Sequence, residues 1–171
     1  PYDSRPLYVP QPYAPQSEQT MPEQDASEAA RPAFDPKFER QLVAYHGKEA
    51  AGTIVIDTSN KFLYLVQGEG KALRYGVGVG KPGFLWAGTK TISAKREWPD
   101  WTPPAEMLKR RPDLPRHMVG GPQNPLGARA MYLGSSLYRI HGSNEPWTIG
   151  SNVSSGCIRM RNRDVIDLYD R

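Results

Sequence analysis

The sequence predicts a mostly-β domain, sandwich or barrel-like, with a long insert and one short C-terminal helix. Three observations carry this. Short runs rich in β-branched and aromatic residues recur along the chain, as in TIVID at residues 53–57 and KFLYLVQ at 61–67. Turn-forming residues separate them, with 17 prolines and 16 glycines among 171 residues. Only one segment combines helical apolar spacing with an acidic first turn, and it lies near the end of the chain.

Residues 1–36 hold eight prolines, among them Pro6, Pro10, Pro12 and Pro15, spaced by Gln, Ser and Glu. Such a stretch buries too little apolar surface to offset its ordering entropy, so it reads as a flexible, extended linker. The domain then spans 37–171, opening with a short docked helix over residues 37–46 (KFERQLVAYH). The runs at 53–57 and 61–67 flank the turn signal Ser59-Asn60 and make a hairpin. Further strands are expected at 73–79, 89–94, 130–133 and 137–141. In the final helix Asn162 is the expected cap, Asp164 suits the first turn, and Val165, Ile166, Leu168 and Tyr169 form the apolar face.

Residues 95–129 break the pattern. They contain Trp98, Trp101 and seven prolines, with one weak helical piece around 105–110. A long aperiodic insert in a compact domain is usually functional, and two tryptophans offer apolar area that must pack somewhere. A substrate-covering lid, with Trp98 and Trp101 at the substrate, is one reading; an excursion that completes the core is the other.

Composition excludes several classes. No apolar run approaches the ~18 residues of a membrane span. One cysteine rules out an internal disulfide and a thiolate zinc cluster, and the three histidines form no HExxH pattern. The net charge of +4 is mild, and no Lys/Arg stripe with interleaved aromatics marks a nucleic-acid partner. Gly78-Val-Gly80-Lys-Pro-Gly83 formally matches GxGxxG. However, Pro82 lies within it and no helix pattern follows, so it reads as a glycine-rich strand and turn. His46 and His117 read as surface or packing residues.

The chemistry concentrates in residues 138–160, YRIHGSNEPWTIGSNVSSGCIRM. A lone cysteine is commonly a small buried hydrophobe. Cys157, however, follows Ser154, Ser155 and Gly156 and precedes Arg159, which is no apolar strand interior. Gly156 lets a carbonyl approach the sulfur, and consecutive backbone N–H groups in such a turn can stabilise an oxyanion. His141, at the end of an expected strand, can serve as base for a thiol whose ordinary pKa of about 8.5 requires activation. From these residues alone, a catalytic pair and an unrelated cysteine and histidine both stand.

The segment HGSNEPWTIGSNVSSGCIRMRNRDVIDLY closely resembles the HGxx…SxGCxR[ML] signature of the YkuD-type (ErfK/YbiS/YcfS/YnhG) L,D-transpeptidases. The likeness runs from about Gly52 to Arg171 and includes GTIVIDTSNKFLYLV, RYGVGVGKPGFLWAGTKTIS and EWPDWTPP. It implies Cys157 as nucleophile, His141 as general base, the Gly142 carbonyl as orienter of the imidazole, and the Ser155, Gly156 and Cys157 N–H groups as oxyanion hole. Arg159 matches the family's arginine, with a substrate carboxylate or a structural ion pair as its partner; Ser154 and Asn144 are further candidate substrate contacts. Ser143 stands where the family more often has Thr. The implied reaction is attack on the L-centre carbonyl of diaminopimelate in a donor tetrapeptide, loss of D-Ala, and transfer to an amine giving a 3→3 crosslink. The same acyl-enzyme can serve protein attachment to the wall, D-amino acid exchange, or hydrolysis. No metal or organic cofactor is implied. The partners are peptidoglycan stem peptides and, for one acceptor class, an envelope protein. The setting is the periplasm or cell envelope, after export with a leader absent from this sequence. A non-catalytic wall-binding module is the different-class alternative. Arg171 falls where family members continue into a final strand.

Overall fold

The computed structural model describes residues 34–171, so the linker reading of residues 1–36 lies almost wholly outside the described residues. Strands dominate from there on, in two four-stranded sheets and one two-stranded pair.

The first sheet is antiparallel. Strand β1 covers Gln41–Ala44, β2 Ile54–Asp57, β3 Phe62–Gly68 and β4 Lys71–Gly76, in the order β1-β4-β3-β2. The expected hairpin is β2–β3, with Ile54 opposite Leu65 and Asp57 opposite Phe62. Asp57 closes its turn by accepting from the backbone N–H of Asn60 at 3.1 Å and from its Nδ2 at 2.7 Å.

Residues 37–46 do not form the expected helix. Pro36–Phe38 make a single 3-10 turn capped by Asp35, and β1 then pairs with β4, Leu42 opposite Leu73. The edge of β4 offers a ladder of backbone partners that weak local helix propensity does not outweigh. Phe38 is buried, its ring centroid 5.4 Å from that of Phe62.

The expected strand at 73–79 is split. β4 stops at Gly76 and β5 covers Val79–Gly80. Between them Gly78 exchanges two backbone hydrogen bonds with Arg159, of 2.7 and 2.8 Å, which carries the chain from the first sheet to the second.

That second sheet has the order β10-β8-β7-β6. Here β6 is Ile92–Glu97, three residues later than expected; β7 is Arg129–Leu133, β8 Arg139–His141 and β10 Ile158–Arg159. β8 runs antiparallel to β7 and parallel to β10. Strand β9, Asn152–Ser154, lies parallel to β5. Neither β9 nor β10 is long enough to display a period in sequence.

Leu63, Leu65 and Tyr75 of the first sheet meet Met131, Leu133, Ile140 and Ile158 of the second in one core. Helix α2, Asn162–Asp170 (α1 lies in the insert, below), closes it with Val165 and Leu168. Its cap differs from expectation: Arg161 holds the N-cap position and Asn162 is the first helical residue. Freed from capping, the Asn162 Oδ1 accepts from Ala128 N–H at 2.9 Å and Ser143 N–H at 3.1 Å, tying helix, insert and site loop together.

The insert is closed at its neck. Trp98 N–H donates to Ala128 O at 2.7 Å, and Trp101 and Met118 exchange backbone bonds of 2.8 and 2.7 Å. Helix α1, Ala105–Arg110, matches the weak helical piece. Asn124, 1% exposed, donates to the carbonyls of Met118 and Val119 and accepts from Leu126 N–H. Part of this segment thus completes the core, as Leu126 and Ala128 are both buried.

Replacing Asn162 by Ala leaves two partly buried N–H groups without their acceptor, a loss of about 2 kcal/mol. Thermal melts should register a drop of several degrees, while replacement of the exposed Asn152 should have a smaller effect.

Candidate active site

The two-residue period of β-structure arranges the site. In the parallel pair β8–β10, Ile158 is registered with Ile140 and Arg159 with His141. Ile140 and Ile158 are each 1% exposed and point into the core. Their neighbours, Arg139, His141, Cys157 and Arg159, therefore share the opposite face. Cys157 directly precedes β10 and His141 ends the adjacent β8, an offset of two residues that ideal strand spacing makes roughly 8 Å between Cα atoms. Two side chains can close that distance.

His141 is buried, and its Nδ1 lies 2.5 Å from Gly142 O. A carbonyl only accepts, so Nδ1 carries the proton and Nε2 is the basic nitrogen. Gly142 permits this geometry because a side chain there would strike Asn162 Oδ1 and come within 2.9 Å of Ala128 N. Burial, reinforced by the Arg159 charge and then Arg139, pushes the imidazole pKa down to about 3. The ring is neutral at physiological pH.

The Cys157 thiol is half-buried, and burial pushes its pKa up, against the pull of the Arg139 backbone and of the Arg139 and Arg159 charges. Sγ is directed at Leu137 O, 3.7 Å away. The two groups thus rest as neutral thiol and neutral imidazole.

The loop before the sulfur is tightly held. Ser154 Oγ donates to Cys157 O at 2.6 Å and accepts from Gly156 N–H at 3.1 Å. Ser154 is therefore buried in a loop clamp, and the Gly156 N–H is already engaged. Among the described residues the Ser155 and Cys157 N–H groups have no hydrogen-bond partner.

Arg159 makes the ion pair that was one of its two readings. Its Nη1 lies 3.3 Å from Glu145 Oε2 and 3.2 Å from Thr148 Oγ1. Its Nε is buried and has no partner among the described residues. Asn144 is exposed, with Nδ2 on Gln123 O at 3.1 Å. Trp98 is partly buried against the core and Trp101 is 9% exposed, so both pack within the domain; the insert reaches the cysteine loop by another residue. That residue is Arg110 of α1, whose Nη2 lies 3.3 Å from Ser155 Oγ. His46 and His117 are exposed, the latter against Thr102 and Asp100. Gly78–Gly83 forms strand and turn with no helix after it, as read.

Sequence reasoning missed Arg139 and Trp86. Arg139 was hidden within an expected strand, though alternation from His141 places it on the same face. Trp86 was hidden in a turn, though an aromatic between glycines is an unusual loop residue.

The model for the L,D-transpeptidase catalytic domain, YkuD, matches residues 51–171. A probable L,D-transpeptidase ErfK/SrfK of Escherichia coli is 37% identical over 126 residues, covering 68% of this chain and 40% of that protein. The probable L,D-transpeptidase YbiS of the same organism is 33% identical over 70% of this chain and 41% of its own length. The chain thus spans about two fifths of the curated relatives it matches. Among solved structures, a protein from Brucella melitensis described as a probable carnitine operon oxidoreductase is 53% identical, with TM-score 0.58, over 81% of this chain and 90% of that one. An L,D-transpeptidase from Mycobacterium smegmatis shares the fold at TM-score 0.54 and 20% identity, over 68% of this chain and 52% of its own.

Two outcomes follow from the neutral pair. The rate of Cys157 alkylation by iodoacetamide should climb steadily from pH 7 past 9; a plateau between pH 5 and 7 would signal a thiolate–imidazolium pair instead. His141 also links stability to pH. Its folded pKa lies below the ordinary 6.5, so the unfolded chain binds a proton that the native state refuses. Its penalty is absent above pH 6.5 and grows as pH falls from there toward 3. Melts of His141→Gln should fall less steeply than wild type over that window.

Proposed function

The chain belongs to the YkuD family of L,D-transpeptidase catalytic domains, and from that premise we propose that it is a cysteine acyltransferase acting on peptidoglycan stem peptides. The observation that supports this best is the Cys157–His141 face, with Nδ1 of His141 fixed by Gly142 O and Nε2 left to accept a proton.

In the proposed reaction Sγ turns from Leu137 O toward Nε2, which takes the thiol proton as sulfur attacks the L-centre carbonyl of diaminopimelate in a donor tetrapeptide. The tetrahedral oxyanion meets the Cys157 N–H, with Ser155 N–H as the second candidate donor. Gly156 N–H, committed to Ser154, is the weakest of the three. Collapse breaks the C–N bond, the imidazolium returns its proton to the departing D-Ala amine, and a thioester remains. An acceptor amine then attacks the thioester carbonyl, giving its proton to His141 Nε2. The C–S bond breaks and the proton passes to the Cys157 sulfur. With a side-chain amine of a second stem the product is the 3→3 crosslink. The partly free guanidinium of Arg159 suits a substrate carboxylate while Glu145 holds it in place. Contact between Arg110 and Ser155 suits a lid role for the insert, since thioester aminolysis must outrun hydrolysis. The expected location is the periplasm or cell envelope; no helix among the described residues is long and apolar enough to cross a membrane.

Incubation with a disaccharide-tetrapeptide, read by mass spectrometry, tests the reading. A dimer lacking one D-Ala, absent with Cys157→Ala and reduced at least a hundredfold with His141→Gln, is expected. Tripeptide alone would assign hydrolysis in place of crosslinking. An envelope protein acceptor would appear as a peptidoglycan-linked product only when that protein is added. Absence of any product and of any carbapenem adduct on Cys157 would overturn the acyltransferase.

A further inference from the structure

The loop from residue 81 to 91 has no part in the reaction as described, yet it touches the cysteine loop at several points. Trp86 Nε1 donates to Gly156 O at 2.7 Å. The indole stacks on Tyr138, with ring centroids 4.8 Å apart and planes 10° from parallel, and Lys90 Nζ lies 5.3 Å from the Trp86 centroid. Gly156 is enclosed by the same group. A Cβ there would come within 2.9 Å of Tyr138 Cδ1 and 3.2 Å of Phe84 O, and its φ of +119° is left-handed.

The consequence comes from peptide geometry. The Gly156–Cys157 peptide is trans, so its C=O and N–H point in opposite directions. Fixing the carbonyl on Trp86 therefore fixes the direction of the Cys157 N–H, away from the indole. Rotation of this peptide is opposed further by Ser154, which holds Gly156 N–H on one side and Cys157 O on the other. The Cys157 N–H is the group in this unit left without a partner among the described residues.

We infer that Trp86 is a positioning residue: its indole N–H orients the Gly156–Cys157 peptide so that the Cys157 N–H is presented to the oxyanion formed on the attacked carbonyl. The inference rests on Cys157 being the acylated nucleophile. It makes the glycine-rich stretch after β5 a brace for the oxyanion donor, with Tyr138 as the stacking surface that holds the indole.

Two reactions of one thiol separate this role from general support of the fold. Acylation by a carbapenem passes through a tetrahedral oxyanion, whereas alkylation by iodoacetamide displaces iodide at a saturated carbon and forms none. Trp86→Phe keeps an aromatic ring on Tyr138 and removes the donor. Its acylation rate should fall roughly tenfold to a hundredfold, below the effect of deleting an oxyanion donor itself, while alkylation stays within about twofold of wild type. Should that variant fold poorly, benzothienylalanine at position 86 replaces N–H by sulfur in the same shape and should give the same split. Equal loss in both reactions, or loss in neither, would overturn the inference. A wild-type protein that is alkylated but never acylated would overturn the acyltransferase reading, and this inference with it.

Discussion

The parallel pairing of β8 with β10 is the constraint on which the site depends. It is only two residues long, but Ile140 and Ile158 anchor it on the core side, and Gly78 brackets β10 from the other edge. Because side chains alternate, burying these two isoleucines obliges Arg139, His141, Cys157 and Arg159 to share the other face. A one-residue slip of β10 would turn Cys157 and Arg159 toward the core and Ile158 away from it, leaving His141 without them on its face. The apolar core thus sets the register, and the register puts His141, Cys157 and the two arginines on one face.

The same packing sets their chemistry. Burial and the Arg159 and Arg139 charges disfavour the His141 imidazolium, against the pull of the Gly142 carbonyl, and burial likewise disfavours the Cys157 thiolate. Neither charged form is held in the resting state. In the proposed reaction, charge separation would be deferred to the moment of attack, when the tetrahedral oxyanion and preorganised N–H donors would supply the compensation. Such a thiol is less open to adventitious oxidation and alkylation than a thiolate would be. Ser154 and Trp86 suit this arrangement, since each fixes a backbone carbonyl or N–H of the cysteine loop before substrate arrives.

Asn162 plays a comparable part at longer range. One amide oxygen serves the N–H groups of Ala128 and Ser143, which come from the end of the insert and from the residue after Gly142. The start of α2, the return of the insert and the histidine loop are thereby fixed to one another. The sequence offered Asn162 as a helix cap, a local role common for the residue type; the tertiary partners claimed the same oxygen.

The sequence alone determined whatever has a local period or a dense motif. The β2–β3 hairpin, β7, β8, α1 and α2 are legible in alternation, turn residues and apolar spacing, and the candidate pair His141 and Cys157 is legible in the family signature around them. Only the tertiary structure decided the rest. Residues 41–44 became a strand because β4 offered an edge, and β9 and β10 exist through partners distant in sequence. Trp101 was buried, and Arg110 met the cysteine loop. Trp86 reached Gly156 across 70 residues. Long-range pairing leaves no period in the chain that takes part in it, so contacts of this kind are fixed by where the folded backbone brings a donor to an acceptor.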